Sequence, residues 1–238
     1  MSHQIQTRDA EALLDSPIYP VAEAARLVGL HPTRVHRWLH GYEYRFSLEG
    51  EESLRRQEPL VRREGTAGTT YTSFLDLIDL VFIKQFLDHR VSLQKLRKAL
   101  DEAADLLGTN HFARQTFFTN GRDIYLKVKE HGDAILELLS GGQWVIPDVI
   151  VQLSHRIEFD AATGFARRWY PRDRSGLVVL DPAISFGSPR LMDRGIATAN
   201  VYDLYKAEKG DTNRVCFWTG LTEKEVEAAV DFEKSLAA

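Results

Sequence analysis

One cysteine, Cys216, in 238 residues excludes an internal disulfide and any zinc site built on paired cysteines. Long apolar runs are also missing: stretches such as 80–83 and 177–180 fall far short of the roughly 20 residues that span a bilayer. The opening Met-Ser-His-Gln-Ile-Gln-Thr-Arg-Asp has no apolar core of signal-peptide length, so a soluble cytoplasmic chain is expected. Positive charge is not in excess. Thirty Lys and Arg against 34 Asp and Glu leave a net charge of −4, so nucleic acid could be held only by a local basic patch. There is no phosphate-cradling glycine loop, because Gly141-Gly142 stands alone and reads as a helix stop. The eight histidines show no metal-ligand spacing, with His89, His111, His131 and His155 scattered. His155, Glu158 and Asp160 are close in sequence but would not share one face of a strand. These absences leave no convergent acid/base, nucleophile or ligand set, and neither an enzyme nor a resident cofactor or metal is expected.

What remains is punctuated helix. Val21, Ala24, Ala25 and Val28 recur at helical spacing until Gly29, and Pro32 then stands at a first helical position. The second helix, 32–39, places Val35, Trp38 and Leu39 on one face, leaves Thr33, Arg34, His36 and Arg37 on the other, and ends at Gly41. Two short helices joined by a tight glycine turn form the unit that lays a recognition helix in a major groove. Arg34 and Arg37 suit guanine edges or phosphate, and Thr33 suits either. Between 26 and 63 there are eight arginines and five acids, so this stretch is basic inside an acidic chain. The alternative is a solvated helical hairpin with ordinary surface arginines.

Residues 42–72 read as strand-poor, with a short hairpin expected around 58–70. Residues 74–87 are apolar nearly all round, as in a helix at a domain centre. Ser92 then caps a helix whose face is Leu93, Leu96, Leu100, Ala103 and Leu107. Thr119-Asn120-Gly121-Arg122 between apolar pairs signals a hairpin, 135–139 a short helix, and 157–170 a second hairpin. From 198 onward come a helix ended by Gly210, a short helix from 212 to 218, and a helix opened by the capping box Thr222-Glu223-Lys224-Glu225. Cys216, between Val215 and the aromatics Phe217 and Trp218, reads as a core thiol. The expected fold class is α+β and mainly helical: a winged helix-turn-helix at 17–108, an α+β middle at 109–176 and a trihelical unit at 177–238.

Tyr19-Pro20-Val21-Ala22-Glu23-Ala24-Ala25-Arg26-Leu27-Val28-Gly29-Leu30, followed by His31-Pro32-Thr33-Arg34-Val35-His36-Arg37-Trp38, resembles the opening of MerR-like winged-helix DNA-binding domains. Residues 80–87 and 91–97 resemble that domain's second helix pair. The resemblance implies a wing within 42–72, with Arg62 and Arg63 on phosphate and Arg45 also at the DNA face. His31 departs from the usual Ser or Thr cap, and His36 from the usual Arg.

Val178-Val179-Leu180-Asp181-Pro182-Ala183-Ile184-Ser185-Phe186-Gly187-Ser188-Pro189, with the helices that follow, resembles the DUF 433 family. Between 196 and 238 five bases face eight acids, the wrong sign for phosphate, so this unit is expected to bind protein. The two resemblances in one chain are similar to the large VapB-type antitoxins encoded beside a PIN-domain ribonuclease toxin. That likeness implies toxin neutralisation, repression of the shared operon on double-stranded DNA, and a homodimer. Arg167, Arg168, Trp169 and Tyr170, in an arginine- and aromatic-rich segment, could line nucleic acid, dock in the toxin's acidic centre or form a hairpin with a buried aromatic face. The other functional reading is a free-standing MerR-like regulator that senses a ligand through Phe117, Phe118, Tyr125 and Trp144.

Overall fold

The computed structural model describes residues 12–48, 51–61, 63, 68–107, 111, 113, 152–153, 155–172 and 176–236. The hairpin expected at 117–125, the helix at 135–139, the four proposed ligand-sensing aromatics and Arg62 lie outside them. The chain mixes helices with small antiparallel strand pairs, and divides into two compact units, Met1–Val151 and Gln152–Ala238. No helix among the described residues is long and apolar enough to cross a membrane.

In the first unit, strand β1 (Tyr19–Pro20) leads directly into α1 (Val21–Val28), which stops at Gly29 in the left-handed conformation. Helix α2 (Pro32–His40) ends at Gly41. Strands β2 (Tyr42–Leu48) and β3 (Glu51–Gln57) then pair in register from Tyr42↔Gln57 to Leu48↔Glu51. Here the chain departs from the expected strand-poor segment and its hairpin at 58–70. The hairpin lies earlier, and its signal is the period-two alternation of Tyr42, Tyr44 and Phe46 with Glu43, Arg45 and Ser47.

Strand β4 (Tyr71–Thr72) pairs with β1 and delivers the chain to α3 (Phe74–Asp88). Helix α3 is buried along most of its length, as its all-round apolar sequence requires, and Phe74, Leu77, Ile78, Leu80 and Ile83 are fully enclosed. Two carboxylates ride on it into the core. Asp76 closes a capping box with Ser73, each backbone N–H donating to the other's side chain at 3.0 Å. Asp79 accepts from the Ala113 backbone N–H at 3.2 Å and lies 2.7 Å from Nδ1 of buried His111, whose Nε2 is 3.6 Å from Asp15. Helix α4 (Leu93–Leu107) packs on α3 through Leu96 and Leu100.

In the second unit, β5 (Ile157–Phe159) and β6 (Ala166–Trp169) form the hairpin expected near 157–170. Trp169 bridges to Leu180 beside β7 (Val178–Val179), which pairs with β8 (Arg190–Leu191). Between them Ser185, Phe186 and Gly187 all take positive φ. Helices α5 (Thr198–Ala207), α6 (Thr212–Thr219) and α7 (Glu223–Leu236) follow, with α5 and α6 both packed on α7. The Thr222–Glu225 capping box forms as its sequence requires, the Thr222 N–H donating to Glu225 at 2.7 Å. Thr198 donates its hydroxyl to the buried Glu233 carboxylate at 2.5 Å, fixing the start of α5 to the end of α7.

Candidate nucleic-acid interface

Helix α2 divides as its sequence pattern predicts. Val35, Trp38 and Leu39 are buried, while Thr33, Arg34, His36 and Arg37 are exposed. His31 fills the cap position after all: its Nδ1 accepts the Thr33 backbone N–H at 3.2 Å, so the departure from Ser or Thr leaves the helix start satisfied. His36 stacks at 4.5 Å, centroid to centroid, on His40. Burial, with the neighbouring His36 and Arg63 behind it, lowers the His40 pKa, which keeps that ring neutral at neutral pH.

The hairpin and helix meet through an aromatic contact. The Arg37 guanidinium lies 5.0 Å from the Tyr42 ring centroid, and Arg55 lies 4.0 Å from that of Phe46. Arg45 is 82 % exposed and 3.8 Å from the likewise exposed Glu52, a spacing that holds it only loosely. A cleft of about 420 Å³ runs between the start of α2, the base of the hairpin and the start of α4. Its walls include Arg34, Arg37 and Arg97, together with Gln57 and Gln94, and no carboxylate among the described residues. This uncompensated arginine cluster is a ready anion site, and the glutamines add donor–acceptor pairs beside it.

Arg97 was not singled out by the sequence. Its Nη1 donates to the carbonyls of Glu58 at 2.9 Å and Pro59 at 2.7 Å, tying the end of the hairpin to α4. Gly41 fixes the other side. A Cβ there would stand 2.4 Å from the Gln57 carbonyl oxygen, and the φ of +71° favours glycine as well.

Two groups of expected binding residues are placed elsewhere. Arg63, expected on phosphate, is buried: its side chain is 2 % exposed and its Nε lies 3.2 Å from Asp76. It also donates to the Tyr71 carbonyl, so it braces the α3 cap. In the second unit Arg168, Trp169 and Tyr170 are committed to their own fold and do not form an exposed docking strip. Arg168 pairs with Asp181 at 2.7 Å and Glu158 at 3.4 Å, Tyr170 donates to Glu158 at 3.0 Å, and Trp169 is 2 % exposed. Only Arg167 of the four is exposed. Among the described residues no cluster of three or more His, Cys, Asp or Glu is placed to hold a metal ion.

Comparison with solved structures places this fold beside one from Mycobacterium tuberculosis, reported as the X-ray crystal structure of Rv2018. The TM-score is 0.68, with 22 % identity, and the match covers 92 % of this chain and 99 % of that one. At that identity the likeness establishes a shared fold. In sequence the chain is similar to a curated protein of the same organism named "Putative antitoxin VapB45", 22 % identical over 205 residues, which is 82 % of this chain and 84 % of that protein. No family model matches the sequence.

Proposed function

We propose that this chain is the antitoxin of a toxin–antitoxin pair, binding operator DNA through its first unit and a PIN-domain ribonuclease toxin through its second. The antitoxin reading is supported by a relative of that name matched over most of both chains. The DNA reading is carried by one observation: the exposed face of α2 opens on a cleft with three arginines and no carboxylate. In this reading α1 and α2 are a helix-turn-helix within a MerR-like head, β2 and β3 are its wing, and Thr33, Arg34, His36 and Arg37 reach the groove. Arg45 meets phosphate from the wing. One short recognition helix reads few base pairs, so a homodimer on paired half-sites completes the site. The trihelical segment that resembles DUF 433 faces protein, consistent with its net negative charge.

The test is binding of the full chain to duplex from upstream of its own gene, across a salt series. Replacing Arg34 and Arg37 by Ala should abolish specific binding and lower the salt slope by about one unit for each phosphate no longer neutralised. The melting temperature should not change, because both side chains are exposed. Unchanged affinity would remove the DNA assignment. Co-purification of the adjacent gene's product at fixed stoichiometry is the corresponding test of the toxin.

A further inference from the structure

Helix α6 contributes one residue, Val215, to the core of its unit. Phe217 is 79 % exposed and Trp218 is 60 % exposed, and Cys216 beside them is half-buried rather than the core thiol expected. The two rings contact each other edge to face, with centroids 5.2 Å apart and planes at 75°. The helix beneath them is fixed at both ends: Asp211 accepts the Arg214 backbone N–H at 3.1 Å, and Gly220 caps the C-terminus in the left-handed conformation. A rigid aromatic pair left largely exposed by the described residues of its own unit has the anatomy of an interface anchor.

The charge around it selects the partner. Exposed Glu223 and Glu227 stand on the first turns of α7, the helix against which α6 packs, with Lys224 between them. Glu223 follows Trp218 by five residues across the Gly220 turn, and 196–238 as a whole carries five bases against eight acids. Glu225 is occupied by Thr222 and Arg194, and the cation of α6, Arg214, is held by Glu208 at 2.6 Å. Glu223 and Glu227 therefore face outward with little cationic compensation, a poor match for a second acidic copy of the same surface and a good one for a basic chain.

We propose that Phe217 and Trp218, with the acidic start of α7 at Glu223 and Glu227, form the docking surface for an amphipathic segment of the toxin, one with an aliphatic stripe flanked by Lys or Arg. This rests on the antitoxin reading above. The experiment titrates the purified product of the adjacent gene into the full chain by calorimetry, at two salt concentrations. A Phe217→Ser/Trp218→Ser variant should bind about thirtyfold more weakly or worse, as loss of an aromatic anchor does. Glu223→Gln/Glu227→Gln should weaken binding severalfold and flatten its salt dependence, while Arg34→Ala/Arg37→Ala should leave it unchanged. Circular dichroism of each variant controls for folding, and the exposed aromatics are replaced without disturbing any core residue. Equal binding by the aromatic variant overturns this surface and leaves the antitoxin reading standing. Failure of the wild-type chain to bind overturns both. A wild-type dimer that the aromatic variant makes monomeric overturns the assignment to a toxin, because a second copy is then the occupant.

Discussion

Helices α1 and α2 at one end of the chain and α5 to α7 at the other are built from similar parts. Helices of eight to ten residues recur in both, as α1, α2, α5 and α6, and Gly29, Gly41 and Gly220 cap three of them. Their outward faces differ completely. Helix α2 shows Thr33, Arg34, His36 and Arg37, whereas α6 shows Phe217 and Trp218 beside carboxylates. The lesson is that a short-helix framework does not choose its ligand. The choice lies in four or five exposed side chains, and above all in the sign of their charge.

The contrast can be broken from either side, beginning with the first unit. Replacing Asp76 by Ala leaves the buried Arg63 guanidinium without its carboxylate and opens the α3 cap, at a cost of about 3–5 kcal/mol. Hydrogen exchange should then show lost protection across 21–88 while 198–236 keeps its own.

Next comes pH. Burial alone would lower the His111 pKa, but Asp79 and then Asp15 outweigh it and raise it to about 10. The folded state therefore holds a proton that the unfolded chain, with a value near 6.5, gives up. This stabilisation is complete below about pH 6.5 and is lost as pH rises toward 10, by up to about 1.4 kcal/mol per pH unit. Thermal melts at pH 6 and pH 9 should separate accordingly, and His111→Gln should remove the difference.

Two smaller perturbations belong to the second unit. Thr198→Val removes the donor to buried Glu233 and should cost about 1–3 kcal/mol by denaturant titration. Asp211→Ala removes the α6 cap for about 1 kcal/mol, a loss that should shift the melting of α5 to α7 and leave DNA affinity unchanged.

The sequence was most legible where structure is local. Gly29, Pro32 and Gly41 bracket α1 and α2, and the apolar spacing within α2 divides its buried and exposed faces residue by residue. Hairpin β2–β3 escaped because the alternation of Tyr42, Tyr44 and Phe46 marks one strand alone, while its partner β3 is charged and exposed nearly throughout. Side chains whose partners are remote in sequence escaped as well. Arg63 is drawn inside by Asp76, thirteen residues away, together with the Tyr71 carbonyl, and Arg168 is held by Asp181, again thirteen away, together with Glu158. His111 depends on Asp79, 32 residues before it. Cys216 was misplaced for the opposite reason: its apolar neighbours suggest a core, but only Val215 of them is buried and the packing of α6 leaves Phe217 and Trp218 exposed.

Gly41 has a mechanical consequence. The chain turns from α2 into β2 with no clearance against the Gln57 carbonyl, and Arg97 grips the Glu58 and Pro59 carbonyls where β3 leaves the same base. The joint is locked on both sides, so helix and hairpin keep one pitch and turn together as a single jaw. On the DNA reading proposed above, a duplex entering that jaw must supply the compliance itself, which makes the bendability of its central base steps, as much as their hydrogen-bonding edges, the quantity such a head would select.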